Sequence, residues 1–234
     1  MARGASGIRR ATATSPVSAP SPPRLYYMPR TRSSRVLWLL EEIGAPYELT
    51  ELPGAQRRSA EHLARHPLGR VPALELGDGT VIFESAAICL HLADLNPDAG
   101  LIGSVGSPER ALAYQWSLFA MTELQAPLFA WIRELGSAPS SPAPESVSPA
   151  RESVSPARER FAAAATALAA VLDGSGWAIR GRFTVADVLC ASVLAGAHSR
   201  GLLAQWPGLR SYVERGEARP AYAAAAAIWD RPRS

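Results

Sequence analysis

The stretch RLYYMPRTRSSRVLWLLEEIG changes its hydrophobic period within a short span. Residues 25–27 are apolar or aromatic in succession, which predicts a strand. After the turn at Pro29, apolar residues recur at helical spacing and predict an amphipathic helix: Val36, Leu37, Leu39, Leu40 and Ile43. Glu41 and Glu42 fall on the face predicted to meet solvent, and Gly44 is a stop signal.

The next fifty residues continue a mixed pattern of strands and helices. Residues 46–49 predict a second strand and residues 56–65 a short polar helix. Residues 77–79, Gly-Asp-Gly between two apolar runs, predict a β-hairpin. Residues 86–94 predict a helix with one apolar face, formed by Ile88, Leu92 and Leu95. This order suits a small mixed sheet with helices on its faces.

From Ser107 onward the chain shows only helical periodicity. Ser107 followed by proline is typical of a helix start, and this helix is predicted to run to about Leu135. Later helices are predicted at 159–172, from 183, after 206 and after 220. Thr184 and Asp187 have the spacing of a capping box, which is a folding signal.

Two segments lack any core pattern. Residues 1–23 are rich in Ser, Ala, Pro and Arg, and we expect a disordered extension. Residues 136–157 contain most of a tandem duplication of ESVSPAR, and the proline in each copy predicts a mobile loop between helices. The predicted domains are therefore 24–101 and an all-helical 107–230.

Charge and composition exclude several classes of function. The net charge of +3 comes from seven arginines in residues 1–35, which contain no acid; the remainder has 17 basic and 21 acidic residues, or −4. Because only a tail is basic, we predict no nucleic-acid partner. No apolar run approaches the roughly 20 residues of a membrane span, so none is predicted. Cys89 and Cys190 are expected to be buried free thiols, and the four histidines lack ligand spacing, so no metal site is predicted.

The loop after the first strand carries the first candidate chemistry. Thr31, Ser33 and Ser34 lie where a helix begins, and free N–H groups there favour an anion such as a phosphate, carboxylate or thiolate. The alternative from this segment alone is that the hydroxyls only cap the helix.

Together these segments resemble the cytosolic glutathione transferases over roughly residues 24–229. The resemblance rests on LYYMPRTRSSRVLWLLEEIGAPYEL, HPLGRVPALELGDGTVIFESAAICLHL and FTVADVLCASVL with the later EARPAYAAA. It is nearest to the bacterial and fungal type with a hydroxyl residue in the first loop. It implies an α+β architecture, with a thioredoxin-like N-terminal domain and an all-helical C-terminal domain. It also implies a cytoplasmic homodimer with glutathione as co-substrate and no other cofactor.

The resemblance also implies a glutathione site. At the family's cis-proline position stands Pro72, and Val71 before it would pair with the cysteinyl unit of glutathione. Ser85 would hold the γ-glutamyl carboxylate at a helix N-terminus, and Glu84 the ammonium. Arg70 is placed to approach the glycyl carboxylate, or else to lie solvated at the surface.

The thiol must become a thiolate before it attacks an electrophile, and a hydroxyl hydrogen bond at a helix N-terminus lowers its pKa. Thr31 falls where related classes have the catalytic serine; Ser33 is the second candidate and Tyr27 the third. The first loop contains no cysteine, which disfavours thiol–disulfide chemistry.

The implied function is conjugation of glutathione to small apolar electrophiles, or reduction of organic hydroperoxides with it. Two alternatives stay open: a non-catalytic binding or regulatory protein of the same fold, and a glutathione-dependent isomerase or dehalogenase. Fold alone does not separate them.

Overall fold

A computed structural model describes residues 21–137, 155–172 and 176–231. The N-terminal part forms a four-stranded sheet in the order β2-β1-β3-β4. Its strands are β1 (Arg24–Tyr27), β2 (Glu48–Glu51), β3 (Ala73–Glu75) and β4 (Val81–Phe83). β1 runs parallel to β2 and antiparallel to β3, and β3 and β4 form the hairpin predicted at residues 77–79.

Helices cover the sheet and make up the rest of the chain. Those of the sheet-containing part are α1 (Ser33–Ile43), α2 (Ala60–Arg65) and α3 (Ser85–Leu95). They are followed by α4 (Pro108–Phe119), α5 (Ala126–Ser137), α6 (Pro156–Leu172), α7 (Val185–His198), α8 (Pro207–Glu217) and α9 (Pro220–Trp229). The predicted order of elements and the α+β class are confirmed.

Several element bounds differ from the sequence prediction. The second strand was predicted at 46–49 but is Glu48–Glu51, because its pairing register begins at Arg24 opposite Glu48. The helix predicted at 56–65 is a 3-10 turn, Gln56–Arg58, followed by α2, because Ser59 adopts an extended conformation and caps α2 through its side chain. The predicted helix from Ser107 to Leu135 is interrupted by a π-helical turn at Ala120–Gln125.

The prediction that Glu42 faces solvent is wrong. Its side chain is only 6% exposed, and it accepts two hydrogen bonds from Arg219, at 2.6 and 2.8 Å. The indole of Trp38 donates to the same carboxylate at 2.9 Å. The reason is that α9 packs along the face of α1 that an isolated helix would expose to water. Leu95, predicted on the apolar face of α3, is instead 56% exposed at the last residue of the helix.

Two local signals are confirmed. Ser107 caps α4 by accepting from Arg110 N–H, with Pro108 in the first turn. Thr184 and Asp187 form the predicted capping box at the start of α7. Cys89 and Cys190 are buried free thiols, also as predicted.

One hydrophobic core runs through both halves of the chain and includes Trp38, Ile88, Leu124, Leu189 and Tyr212. The limits predicted for two domains stay a prediction. Of the predicted disordered extension at 1–23, residues 1–20 lie outside the described residues, as does 138–154 of the predicted loop at 136–157. No helix among the described residues is both long and apolar enough to cross a membrane.

Candidate active site

The loop between β1 and α1 holds a compact network of hydroxyls. The Ser33 hydroxyl donates to the Met28 carbonyl at 2.8 Å and accepts from Met28 N–H at 3.1 Å. Thr31 Oγ1 lies 2.7 Å from that carbonyl and 2.7 Å from Ser33 Oγ, and it accepts from Ser33 N–H at 3.3 Å. Ser33 is fully buried, whereas Thr31 is half-buried. Thr31 therefore presents the more accessible of the two hydroxyls.

These hydroxyls do not cap α1 in the ordinary way. The residue at the cap position is Arg32, whose side chain makes no capping hydrogen bond. The loop instead folds back on Met28, so the hydroxyl groups are fixed by the first residue after β1 rather than by the first turn of the helix.

Tyr27, the third predicted thiol activator, belongs to the main core. It is 5% exposed, and its hydroxyl lies 3.5 Å from a carboxylate oxygen of Glu51 on the neighbouring strand. Burial raises the pKa of Tyr27, and the nearby Glu51 charge adds to the increase. The geometry therefore directs this hydroxyl to β2, while Thr31 and Ser33 form a network of their own.

The peptide bond between Val71 and Pro72 is cis. Both residues are buried, and Met28 of the first loop packs in the same small apolar cluster as Val71. The carbonyl of the preceding residue, Arg70, accepts from His62 Nε2 at 2.8 Å, while the Arg70 side chain is exposed. His62 is a fully buried residue that sequence reasoning did not select; it holds the backbone just before the cis bond.

Glu84 and Ser85 lie at the start of α3. Glu84, not Ser85, occupies the cap position, and its φ of 72° is rare for a residue with a side chain. Such unusual conformations concentrate at functional sites. Ser85 is the first helical residue and is 4% exposed, whereas the Glu84 side chain is exposed. The serine N–H and hydroxyl thus lie at a helix N-terminus, where an anion is favoured.

Arg35 is the residue that sequence reasoning missed. It is 5% exposed, and its Nη1 lies 3.5 Å from Ser85 Oγ and 3.2 Å from Met121 Sδ. Burial lowers the pKa of Arg35 to about 10, and the like charge of Arg32 contributes. It lies three residues before Trp38 and therefore on the buried side of α1. This spacing is a sequence signal from which its burial could have been predicted.

The first loop, the turn before β3 and the start of α3 are thus linked. Met28 packs beside Val71, and Arg35 contacts Ser85. Within the part of the chain that the structure describes, no three His, Cys, Asp or Glu side chains are grouped to hold a metal ion.

The chain is similar over nearly its whole length to a glutathione transferase from Methylococcus capsulatus. The two are 30% identical with a TM-score of 0.74, and the match covers 88% of this chain and 98% of the other. This chain belongs to the glutathione S-transferase family. Family models for the glutathione S-transferase N-terminal and C-terminal domains match residues 31–95 and 126–215.

Curated relatives match this family member over shorter spans. Glutathione S-transferase GstA of Escherichia coli O157:H7 is 35% identical over 112 residues, which are 45% of this chain and 56% of that protein. Elongation factor 1-gamma of Prunus avium is 40% identical over 80 residues, 34% of this chain and 18% of that protein. The first of these matches thus spans about half of the relative, and the second less than a fifth.

Proposed function

We propose that this family member is a glutathione transferase that attaches the glutathione thiolate to small apolar electrophiles. Reduction of organic hydroperoxides by the same thiolate is part of the proposal. The acting form is proposed to be a cytoplasmic homodimer.

The observation that carries the proposal is the difference in hydrogen bonding between two loop hydroxyls, those of Ser33 and Thr31. Ser33 Oγ–H donates to the Met28 carbonyl while Met28 N–H donates to Ser33 Oγ, so the Ser33 hydroxyl is committed in both directions. Thr31 Oγ1 accepts a hydrogen bond from Ser33 N–H. The Thr31 hydroxyl proton can rotate away from the Met28 carbonyl, because that carbonyl still accepts from the Ser33 hydroxyl. Thr31 can therefore donate to a thiolate without breaking the loop, and such a bond lowers the thiol pKa.

The remaining groups form the proposed seat for glutathione. Val71, beside the cis bond to Pro72, has backbone groups suited to an added strand. Ser85 at the start of α3 would bind the γ-glutamyl carboxylate, and the exposed Glu84 would bind the ammonium. Arg70, exposed and three residues from Ala73 at the start of β3, is proposed for the glycyl carboxylate.

The test is a glutathione titration combined with a pH series on the ultraviolet absorbance of the bound thiolate. In the wild type we expect a lowered pKa for the bound thiol. In Thr31→Ala this pKa should return toward the value of about 8.5 that a free thiol has, and in Thr31→Ser it should stay low. Ser33→Ala is the matched control for loss of a loop hydroxyl. It should disturb the loop and weaken binding without removing the donor.

Three results would count against the assignment. An unchanged thiol pKa in Thr31→Ala, with the shift lost in Ser33→Ala, would transfer the role to Ser33. Glutathione binding without any thiol pKa shift would remove the catalytic part of the proposal. No glutathione binding would refute the whole proposal.

A non-catalytic binding module is the second candidate function. The match to a protein named elongation factor 1-gamma is the observation that favours it. Weak or absent glutathione binding in the titration, together with no turnover of an electrophile in a separate assay, would decide for this candidate.

An exposed apolar patch supports the proposed homodimer. Leu68 is 57% exposed and Phe83 40% exposed, and both adjoin His66: the His66 and Phe83 rings lie 4.8 Å apart, and Leu68 N–H donates to His66 Nδ1. Apolar patches of this kind commonly mark protein interfaces. Light scattering of wild type against Phe83→Glu tests the dimer, which the variant should weaken.

A further inference from the structure

A cavity of about 230 Å³ lies between the first loop, α1, α7 and α9. Its walls combine three kinds of group. Trp38, Tyr222 and Trp229 supply aromatic rings, Thr31, Ser34 and Ser192 supply hydroxyls, and Arg30 and Arg35 supply cations. Its volume lies below the usual range for drug-sized ligands, so it suits a single substituted ring.

The aromatic wall is continuous. The ring of Tyr222 meets Trp38 edge to face at 5.1 Å and Trp229 edge to face at 5.5 Å. The Trp38 indole is held in place because it donates to Glu42 at 2.9 Å. Rings fixed in this way offer edges and faces to an aromatic guest at little conformational cost.

The two arginines of the cavity differ in how their charge is balanced. Arg30 pairs with Asp230 at 2.7 Å. The side-chain hydrogen bonds of Arg35, which is 5% exposed, go to the neutral Ser85 and Met121, and no carboxylate pairs with it among the described residues. A buried cation without a counter-charge is costly, so an anionic ligand would stabilise it. Ser34 Oγ, also in the wall, is buried and makes no hydrogen bond within the described ranges.

We propose that this cavity binds aromatic anions, with the ring against Trp38, Tyr222 and Trp229 and the carboxylate paired with Arg35. As an assignment of the second substrate this rests on the proposed function, because the cavity shares Thr31 with the thiol-activating loop. It narrows the second substrate from small apolar electrophiles in general to aromatic electrophiles that carry a carboxylate, for which chlorodinitrobenzoate is the probe. In the reaction, the thiol proton passes to solvent, the thiolate forms the C–S bond at the ring carbon, and chloride leaves with the electrons of the C–Cl bond.

Binding can be measured without any glutathione chemistry. Dinitrobenzoate and its methyl ester lack a leaving group, and both should quench tryptophan fluorescence, since Trp38 and Trp229 line the cavity. We expect the acid to bind about tenfold more tightly than the ester, the gain of one charge-assisted hydrogen bond. Arg35→Gln should abolish this preference and Arg35→Lys should keep most of it. Arg210→Gln, which removes an exposed arginine on α8, is the matched control.

An ester that binds as well as the acid in wild type would overturn the proposal, as would failure of both probes to bind. The wild-type comparison decides even if Arg35→Gln does not fold. If Arg35→Gln weakens glutathione binding and leaves the acid preference intact, the cation belongs to the γ-glutamyl site beside Ser85, and the proposal is wrong.

Turnover separates this proposal from the proposed function. Chlorodinitrobenzoate should exceed its methyl ester in kcat/KM by about tenfold, after division by the uncatalysed rates. An acid preference in binding with no turnover of either compound would refute the transferase function and leave the cavity assignment standing. Turnover of both compounds without an acid preference would support the transferase function and refute the cavity assignment.

Discussion

Asp187 should be among the most important single side chains for stability. Its carboxylate is fully buried at the start of α7 and accepts four hydrogen bonds. Two come from the N–H groups of Ala178 and Thr184, both at 2.9 Å. The others come from the hydroxyls of Thr184 at 3.0 Å and Tyr212 at 2.9 Å. One residue thus joins the segment before α7, the helix start and α8.

Asp187→Ala would leave these donors without an acceptor in the core. The two N–H groups and the hydroxyls of Thr184 and Tyr212 lose their acceptor, at about 1 kcal/mol each. We expect the free energy of unfolding to fall by about 4 kcal/mol, which is a large part of a typical total of about 5–15 kcal/mol. Asp187→Asn keeps one acceptor but turns an amide toward Thr184 N–H, so about half of that loss is expected.

The assay is urea unfolding followed by tryptophan fluorescence and circular dichroism. With a slope of about 3 kcal/mol/M, the midpoint of Asp187→Ala should fall by about 1.3 M. Tyr212→Phe is the control: it removes one donor and leaves three, so the midpoint should move by less than about 0.4 M. A shift in Asp187→Ala no larger than that of Tyr212→Phe would refute the reasoning.

Three further predictions concern other buried groups. Burial raises the pKa of Cys89 to about 12 and that of Cys190 further, so neither thiol should react with a disulfide reagent until denaturant exposes both. Glu42→Gln should lower the free energy of unfolding by about 2 kcal/mol, and a double-mutant cycle with Arg219→Gln should show coupling. Burial lowers the pKa of His66 in the folded protein, so as the pH falls below about 6.5 the unfolded chain binds a proton before the folded one does. The free energy of unfolding should therefore decrease as the pH falls from about 6.5 to the lowered pKa of the folded state. His66→Gln should make this decrease smaller.

Elements whose signals are local could be predicted from the sequence. The hairpin at residues 77–79, the stop at Gly44 and the capping box of Thr184 and Asp187 each depend on a few neighbouring residues. Gly44, for example, adopts φ 71°, a conformation open to glycine, and its N–H returns to Leu40. For these three elements the physical cause lies within one turn, and the sequence was sufficient.

Features that depend on distant segments could not be predicted in this way. Glu42 reads as a solvent-facing residue because its partner Arg219 lies 177 positions further along the chain. The π-helical turn at Ala120–Gln125 leaves no composition signal. Arg35 has the spacing of the buried side of α1, but its contacts with Ser85 on α3 and with Met121 depend on the fold.

The same distinction separates the two halves of the proposed active site. The proposed glutathione seat is formed by two short motifs, around Pro72 and Ser85, that lie close together in the sequence. The proposed aromatic-anion cavity is completed by α7 and α9, which reach the first loop only through the fold. Changes in Ser192 or Tyr222 would therefore alter the choice of second substrate while leaving the glutathione seat unchanged. A sequence motif can thus indicate the common substrate, whereas the second one has to be inferred from the packed structure.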